Sequence, residues 1–464
     1  MSACARPHQP GRFAVLPFEN LTGDAANDWI ASAAPAIMEA ELGAVRAGSV
    51  SDGYLQNAGQ FVHGYFTRSG GELRFEVALE DAARHKLSEP RSYSGPLLPA
   101  MTAAVKAMNP SAREFSTARA DAVDAWGHRE FQKATAIDPD FGAAWLAWVE
   151  TLIQHGDTAQ ATEVADRALA RTSLRSEVDR ARIELLAANL HNDEPRRVKA
   201  LAQLAKLTND SAMTIALAET ELNARNFPAA VSAFQNALAA NPDNGSVMLS
   251  LGYAQAYAGQ IDAAKATLEA YGKQPGQATN SLDSIGEAYF MNGRFTEAEK
   301  YFLQAHQSNP AFIGGGGLLK AAYAHWLAGD LSGADSIASR YFQTQKNNSW
   351  REASWLFATG RHDQAIAKLQ SVPDKQLVER QMAAWNAGVP GDLPALKARY
   401  QHTPPSADGE VRTFYAAALL KAGRKDEAGK LASLWPIPLE QGVDPMLESL
   451  VFPTFLEVRR ATQN

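Results

Sequence analysis

Three alanines, Ala230, Ala264 and Ala298, are spaced 34 residues apart, and this spacing constrains the fold more than any other feature of the chain. The residues around each alanine repeat as well, and the clearest copy contains Leu282, Ile285, Gly286, Tyr289, Gly293, Ala298, Phe302, Ala305 and Pro310. A period of this length is typical of stacked pairs of helices. Because one pair cannot bury its apolar stripe alone, we expect the pairs to stack into a solenoid.

Small residues mark the place where the two helices of a pair cross. Gly286 and Ala298 let the two backbones approach each other, and Tyr289 and Phe302 are expected to fill the wider gaps beside them. In this pattern the chain resembles the tetratricopeptide repeat, a family of helical-repeat proteins. The resemblance implies a mostly α-helical solenoid, in which the first helix of each pair lines a concave surface that binds another protein.

The repeat extends well beyond its clearest copy. Three copies adjoin without gaps, at 211–244, 245–278 and 279–312. Weaker copies extend the array to 142–175 on one side and to turns at Gly329, Gly360 and Gly423 on the other. Two stretches, 174–208 and 376–403, fit only the helical period and are expected to be distorted repeats. We predict roughly seven to nine helix pairs over residues 117–435, with 436–464 capping the last exposed face.

Residues 12–110 follow a different pattern, which predicts a small α+β domain behind an unstructured N-terminus, 1–11. The apolar run Arg12–Phe18 predicts a strand, and 27–43 predicts a helix that Pro35 would kink or split into two pieces. Two further runs, Phe61–Thr67 and Glu72–Glu80, flank a pair of glycines and predict a hairpin with one buried face. A last helix is expected over Leu97–Met108, before a boundary at Asn109-Pro110.

Short motifs in this domain resemble the TolB-like N-terminal domain, which often precedes such repeats in bacteria. They are Val15–Leu21 (VLPFENL), Asp28-Trp29, Val62–Gly64 and Leu79–Ala82. The resemblance covers roughly residues 12–100 and implies a protein-contact module without catalysis. Such a domain is commonly fused to a DNA-binding winged helix, a cyclase or a kinase. None of these precedes residue 12 in this sequence, so we expect any signalling output to come from a partner.

Composition excludes several classes of function. The net charge of −7 without a basic block disfavours nucleic acid as a partner, and no apolar stretch is long enough to span a membrane. The single cysteine, Cys4, rules out an intramolecular disulfide and a cysteine-based metal cluster. Ser2-Ala3-Cys4 resembles the end of a bacterial lipoprotein signal without its apolar segment. The expected location is therefore cytoplasmic as written, or periplasmic if the true start lies upstream and Cys4 is lipidated.

The sequence shows no pattern for an enzyme, a cofactor site or a metal site. Gly314–Gly317 leads into Leu318-Leu319-Lys320 and not into Gly-Lys-Ser/Thr, so we interpret it as an insertion between helix pairs. The histidines lack metal-ligand spacing, and the serines lie in no nucleophile elbow. An enzyme built on such an array would need a polar pocket that holds groups with shifted pKa values.

The concave surface is therefore the candidate site. Its inward positions, assigned from the resemblance, combine aromatic residues with scattered acids: Glu219, Asn223, Tyr253, Tyr257, Asp283, Glu287, Phe290, Tyr323, Trp326, Trp350 and Phe357. This chemistry favours a protein or peptide partner with an apolar or basic segment. An alternative is that these aromatic residues pack between neighbouring helix pairs. Lys320 and Arg351 are the only nearby cations, so a clamp for a C-terminal carboxylate is not expected.

We predict a non-catalytic scaffold or adaptor on this basis. The alternatives are an accessory subunit of a bacterial signalling or transcription-regulatory system, and a periplasmic lipoprotein that assists envelope assembly. An enzyme on a helical array is the remote alternative.

Overall fold

The computed structural model describes residues 9–55, 58–208, 210–344, 349–440 and 443–463. It divides the chain into two compact units, Met1–Asp210 and Ser211–Asn464. Most of the predicted unstructured N-terminus lies outside the described residues. Its last residues are not unstructured, because the first strand begins at Gln9, which pairs with Ala58.

The first unit begins with a mixed sheet whose described strands are β1 (Gln9–Val15), β2 (Glu19–Asn20), β3 (Val45–Arg46), β4 (Ala58–Ser69), β5 (Glu72–Asp81), β6 (Lys86–Leu87) and β7 (Arg91–Ser94). Strand β1 lies between β3 and β4 and is parallel to both. Strands β4 and β5 form the antiparallel hairpin that the sequence predicts, with Phe66 opposite Phe75. Three helices accompany the sheet, α1 (Asp28–Leu42), α2 (Val50–Leu55) and α3 (Leu97–Met108).

Helix α1 corrects one sequence-based expectation, because it is a single element with Pro35 buried inside it. Proline lacks the N–H that would bond to the carbonyl four residues earlier, which here belongs to Ala31. The backbone N–H of Phe18 donates to that carbonyl instead, at 3.3 Å. The free acceptor is therefore satisfied by the chain that leaves β1, and the helix continues without a break.

The first unit also contains three helix pairs, formed by α4 (Ala120–Gly127), α5 (Phe131–Ile137), α6 (Gly142–Gln154), α7 (Thr158–Leu169), α8 (Glu177–Leu190) and α9 (Glu194–Thr208). The sheet, α1 and α3 share one apolar core with α4 and the start of α6, which includes Phe66, Met101 and Phe141. At the contact between α1 and α4, the ring of Trp29 lies 4.8 Å from that of His128. The α+β part and the first helix pairs thus pack as one body.

The described residues of the second unit form helices and the connections between them, without a strand. Its helices are α10 (Ser211–Asn223), α11 (Phe227–Ala240), α12 (Gly245–Tyr257), α13 (Ile261–Gly272), α14 (Ala278–Met291), α15 (Phe295–Ser308), α16 (Gly316–Leu327), α17 (Leu331–Thr344), α18 (Ser349–Ala358), α19 (His362–Gln370), α20 (Lys375–Ala387), α21 (Leu393–His402), α22 (Gly409–Lys421), α23 (Lys425–Leu431) and α24 (Glu448–Gln463).

Successive helices pack as pairs from α10–α11 to α18–α19, and again in α22–α23. With the three pairs of the first unit, the described residues contain nine packed pairs, in agreement with the predicted number. Helices α20 and α21 cover the stretch 376–403. They do not form a pair with each other, because α20 packs on α19 and α21 packs on α22. The predicted fold class, a helical-pair solenoid preceded by a small α+β domain, is confirmed.

The helix crossings explain the repeated small residues. Ala230, Ala264 and Ala298 are completely buried. A methyl group added to Gly286 would lie 2.6 Å from the ring of Phe302, and one added to Gly252 would lie 2.6 Å from Leu268. Such distances are shorter than carbon atoms tolerate, so the glycine and the large residue on the partner helix require each other. The spacing that identified the repeat is therefore the spacing of its closest backbone contacts.

The glycine run lies where the sequence analysis places an insertion, between α15 and α16. Residues Phe312–Gly315 form a short 3-10 turn in which Ile313 and Gly314 have φ values of 45° and 63°. Gly317, in the first turn of α16, lies against the backbone of Phe302, where an added Cβ would lie 3.2 Å from the carbonyl oxygen. The run supplies left-handed backbone and a close helix contact.

Candidate functional site

The predicted site residues lie on the first helices of five successive pairs. Glu219 and Asn223 are on α10, and the other nine are distributed over α12, α14, α16 and α18. We call the surface formed by α12, α14, α16 and α18 the inner surface. All eleven residues are described, and among them Glu219 and Asn223 alone are exposed. The rest are half-buried or buried, and a covering element accounts for part of this burial.

That element is the last helix of the chain, α24. Its Phe452 stacks on Tyr323 with ring centroids 4.6 Å apart, and it meets Phe290 edge-on at 6.1 Å. Trp326 lies 6.5 Å from the same ring. As a result Phe290 is 0% and Tyr323 is 2% exposed. The expectation of an open groove at these residues is wrong, because the C-terminal helix packs against them.

The beginning of α24 is held by α18 and α20. The ring of Phe357 on α18 stacks on Trp385 of α20, with centroids 4.3 Å apart. The indole N–H of Trp385 donates to Ser449 Oγ at 2.8 Å, and the amide of Gln381 donates to the carbonyl of Met446 at 2.7 Å. The predicted cap, 436–464, thus contacts α22 and α23 and also reaches the inner surface.

The residues before α24 fasten this arrangement to the middle of the array. The backbone N–H of Trp435 donates to the carbonyl of Met291, at the end of α14, at 2.8 Å. The Trp435 ring lies 4.8 Å from Phe295 and 4.7 Å from Phe455, and the guanidinium of Arg459 lies 5.0 Å from its centre. Trp435 therefore connects the α14–α15 turn to α24.

A buried ionic cluster lies on α12, α14 and α16. The ammonium of Lys320 contacts Asp283 Oδ2 at 2.7 Å and Glu287 Oε1 at 2.5 Å, and the hydroxyl of Tyr253 donates to Glu287 Oε2 at 2.5 Å. Burial raises the pKa of Asp283 to about 6 against the opposing effect of Lys320. Burial lowers the pKa of Lys320, but the two carboxylates outweigh it and raise the value. The acids predicted to contact a ligand here contact Lys320 instead.

A second ionic cluster joins the first pair of the unit to its last helices. In the turn after α10, Arg225 donates to Asp408 Oδ2 at 2.8 Å and to the carbonyl of Thr403 at 2.9 Å. Asp408 also accepts from Arg412 Nε at 2.8 Å. Glu440 Oε1 accepts from the backbone N–H of Gly409 at 3.2 Å, and burial raises the pKa of Glu440 to about 8. The chain between α21 and α22 therefore folds back onto the first pair.

Space for a small molecule beside this cluster is limited. A cavity of about 90 Å³ lies between Arg225, Tyr257, Tyr400, Asp408 and Arg412, enough for a few water molecules. No group of three or more His, Cys, Asp or Glu residues is arranged for a metal ion within the described part of the chain. Among the described helices, none has both the length and the apolar character needed to cross a bilayer.

Sequence comparison identifies the repeat. Residues 221–280, from the end of α10 into α14, match the family model described as "Tetratricopeptide repeat". This part of the chain is therefore similar to tetratricopeptide repeats. No curated protein sequence matches it significantly.

Solved structures with tetratricopeptide repeats are among those similar to it. YrrB, described as a TPR protein with an unusual peptide-binding site, aligns at 15% identity and a TM-score of 0.33, over 39% of this chain and 94% of its own. The TPR domain of P58(IPK) aligns at 15% identity and a TM-score of 0.21, over 78% and 93% of the two chains. The structure of Naa15/Naa10 bound to HypK-THB aligns at 14% identity and a TM-score of 0.34, over 74% and 57%.

Sequence reasoning missed the partners of the predicted residues. Trp385, Trp435 and Phe452 complete the aromatic cluster, yet each lies more than 20 residues beyond the last predicted site residue. The sequence did not mark the covering of α22 either. Gly409 to Ala416 are buried without interruption, although the stretch contains Glu410 and Arg412.

Proposed function

We propose that this chain is a non-catalytic protein-binding scaffold whose tetratricopeptide pairs present inward positions to a partner protein. The observation that carries the proposal is the position of α24, an amphipathic helix that lies against the inner surface through the stack of Phe452 on Tyr323. We call the part of the inner surface that α24 covers its seat. The array thus already holds a helix by aromatic contacts, which commonly anchor protein interfaces. The matches to tetratricopeptide repeats support the same class of function.

The polar groups of the second unit support a structural role in preference to catalysis. Two carboxyl groups with clearly raised pKa values are already engaged: the buried Asp283 contacts Lys320, and the half-buried Glu440 accepts from Gly409. A catalytic site would leave such groups beside room for a substrate. The cavity of about 90 Å³ at Arg225 is too small for one.

The exposed part of the predicted site is its first pair. Glu219 and Asn223 lie one helical turn apart on α10 and are exposed in the structure. A carboxylate beside an amide offers hydrogen-bond acceptors to a basic segment. We therefore propose that a partner protein first contacts α10, the first helix of the second unit, with basic side chains.

The α+β part offers a second surface. A depression of about 560 Å³ lies on the sheet, lined by residues that include Leu16, Tyr65 and Ala78. Leu87 at its edge is 54% exposed. These features support the protein-contact role that the resemblance to TolB-like domains implies, in an accessory subunit of a signalling or regulatory system or in a periplasmic lipoprotein.

The proposal is tested with two double variants, one that changes exposed residues of α10 and one that changes exposed residues of its partner helix, α11. Glu219→Arg with Asn223→Arg reverses the charge on α10, and Gln235→Arg with Asn236→Arg makes a matched change on the exposed face of α11. Each full chain is cross-linked in lysate of the source cells, and captured proteins are quantified. We expect a partner captured by wild type to be lost from the α10 variant and kept by the α11 variant. Equal capture by all three chains would contradict the proposal.

A further inference from the structure

We propose that α24 is a built-in ligand of the inner surface, and that an external amphipathic helix with an aromatic anchor and an acidic N-terminal end takes its place. The inference rests on the proposed function and adds the class of partner and how access is regulated. It is carried by two observations: what α24 buries, and how incompletely it satisfies the groups around it.

The apolar side of α24 fits the inner surface closely. Leu450, Val451, Phe452, Phe455 and Val458 are each at most 7% exposed. Phe452 is the central anchor, since its ring meets Tyr323, Phe290 and Trp326. Glu457 and Arg460 on the other side are exposed. This is the pattern by which an amphipathic helix binds a groove in another protein.

The polar end of the seat is incompletely satisfied. Glu448 lies 3.8 Å from Arg351 Nη1, beyond hydrogen-bond distance, and that nitrogen is buried without a hydrogen-bond partner among the described residues. The same holds for Ser354 Oγ one turn later and for Gln381 Oε1 on α20. Buried polar atoms without partners are costly. A helix whose first turn places an acceptor on Arg351 would therefore fit better than α24 does.

The backbone of α24 also weakens its hold. Pro453 lies inside the helix and cannot donate to the carbonyl of Ser449, four residues earlier. An interior proline disfavours the helical conformation strongly. A helix of the same pattern without proline would be better formed before binding and would lose less freedom on binding. Helix α24 thus covers the aromatic cluster, but an external helix without the proline would bind the same surface more favourably.

The charge at the seat selects the partner. The cation at the start of α24 is Arg351, which Glu448 approaches only to 3.8 Å. The matching helix therefore carries Asp or Glu in its first turn, where the helix dipole also favours negative charge. This differs from the exposed positions of α10, where Glu219 favours basic groups. One partner with an acidic helix and a basic flanking segment would satisfy both surfaces.

The test measures exchange in the full chain. The probe is a fluorescent peptide of residues 443–463 with Pro453→Ala, and its binding to wild type is compared with binding to the chains Phe452→Ala and Arg459→Ala by fluorescence anisotropy. Arg459 donates to the carbonyl of Ala432 at 3.0 Å, so its loss loosens α24 without altering the inner surface. We expect both variants to bind the peptide at least about tenfold more tightly than wild type.

Matched peptides fix the chemistry. A peptide that also carries Phe452→Ala should lose binding, and one that carries Glu448→Lys should bind several-fold more weakly, whereas Glu457→Gln should change little. If both variant chains fold, as judged by circular dichroism, and neither binds the probe, the inference is overturned. It is also overturned if light scattering shows that the variants become dimers at the probe's binding concentrations, because a second copy is then the occupant. Partner capture at α10 is measured separately, so either proposal can fail alone.

Discussion

The inward positions of α10 and those of α14 and α16 belong to one repeat template and have opposite surroundings. On α10, Glu219 and Asn223 are exposed, whereas Phe290 on α14 and Tyr323 on α16 are covered by α24. The template determines which side of a helix faces inward. It does not determine whether solvent or the chain's own C-terminal helix meets that side. A concave surface deduced from a repeat is therefore a candidate for burial as much as for binding.

The largest expected effect contrasts one covered and one exposed position. Phe290→Ala removes a ring that contacts Phe302 and Phe452, and the free energy of unfolding should fall by about 3–5 kcal/mol. Asn223→Ala should change it by about 0.5 kcal/mol or less. Both values come from urea unfolding of the full chain. Equal losses would mean that the two positions are not in different surroundings.

A second prediction concerns the buried cation. Lys320→Met keeps much of the side-chain volume but leaves Asp283 and Glu287 without their partner, so we expect a loss of about 3 kcal/mol. Lys300→Met on α15 is the matched control, since Lys300 is exposed. A Lys320→Met chain as stable as this control would show that the cluster is not buried as described.

The helix crossing gives a smaller effect. Ala298→Leu adds volume where the side chain is completely buried, and it should destabilise the chain by about 2 kcal/mol. The neighbouring change Lys300→Leu, at an exposed position, should cost less than about 0.5 kcal/mol. The same urea titration compares them, and a reversal of this order would refute the repeat register.

The smallest prediction is a pH dependence. The pKa of Glu440 is about 8 in the fold against an ordinary value of 4.5, so the folded chain binds more protons between these values and stability falls as pH rises through that window. Arg412 opposes this shift, whereas Asp408, Glu287 and Tyr257 surround the same carboxyl with further acids.

Glu440→Gln removes this group's contribution to the slope. Compared with wild type, the variant should lose less stability between about pH 5 and about pH 9. The difference should be about 1 kcal/mol or more. Thermal unfolding at each pH measures it. The exposed Glu457→Gln is the control, and parallel pH profiles for wild type and Glu440→Gln would contradict the burial of Glu440.

The repeat made the fold predictable because its information is local. Gly286, Ala298 and Phe302 lie within 17 residues, and their mutual fit is visible as spacing. The covering of the inner surface rests on contacts of long sequence separation, such as Tyr323 with Phe452 and Arg225 with Asp408. No period marks such contacts. The effect of Pro35 on α1 was misjudged for the same reason. The Ala31 carbonyl, which Pro35 leaves without a donor, accepts a hydrogen bond from the backbone N–H of Phe18, outside the helix.

The most direct test of this account is hydrogen exchange of the unmodified full chain, followed by mass spectrometry. If α24 lies on the inner surface, amides of 450–463 exchange far more slowly than those of the same segment as a free peptide, and α14 and α16 are protected as well. Exchange of α24 at the free-peptide rate, with α14 and α16 still protected, would show that the inner surface is open and would contradict the account.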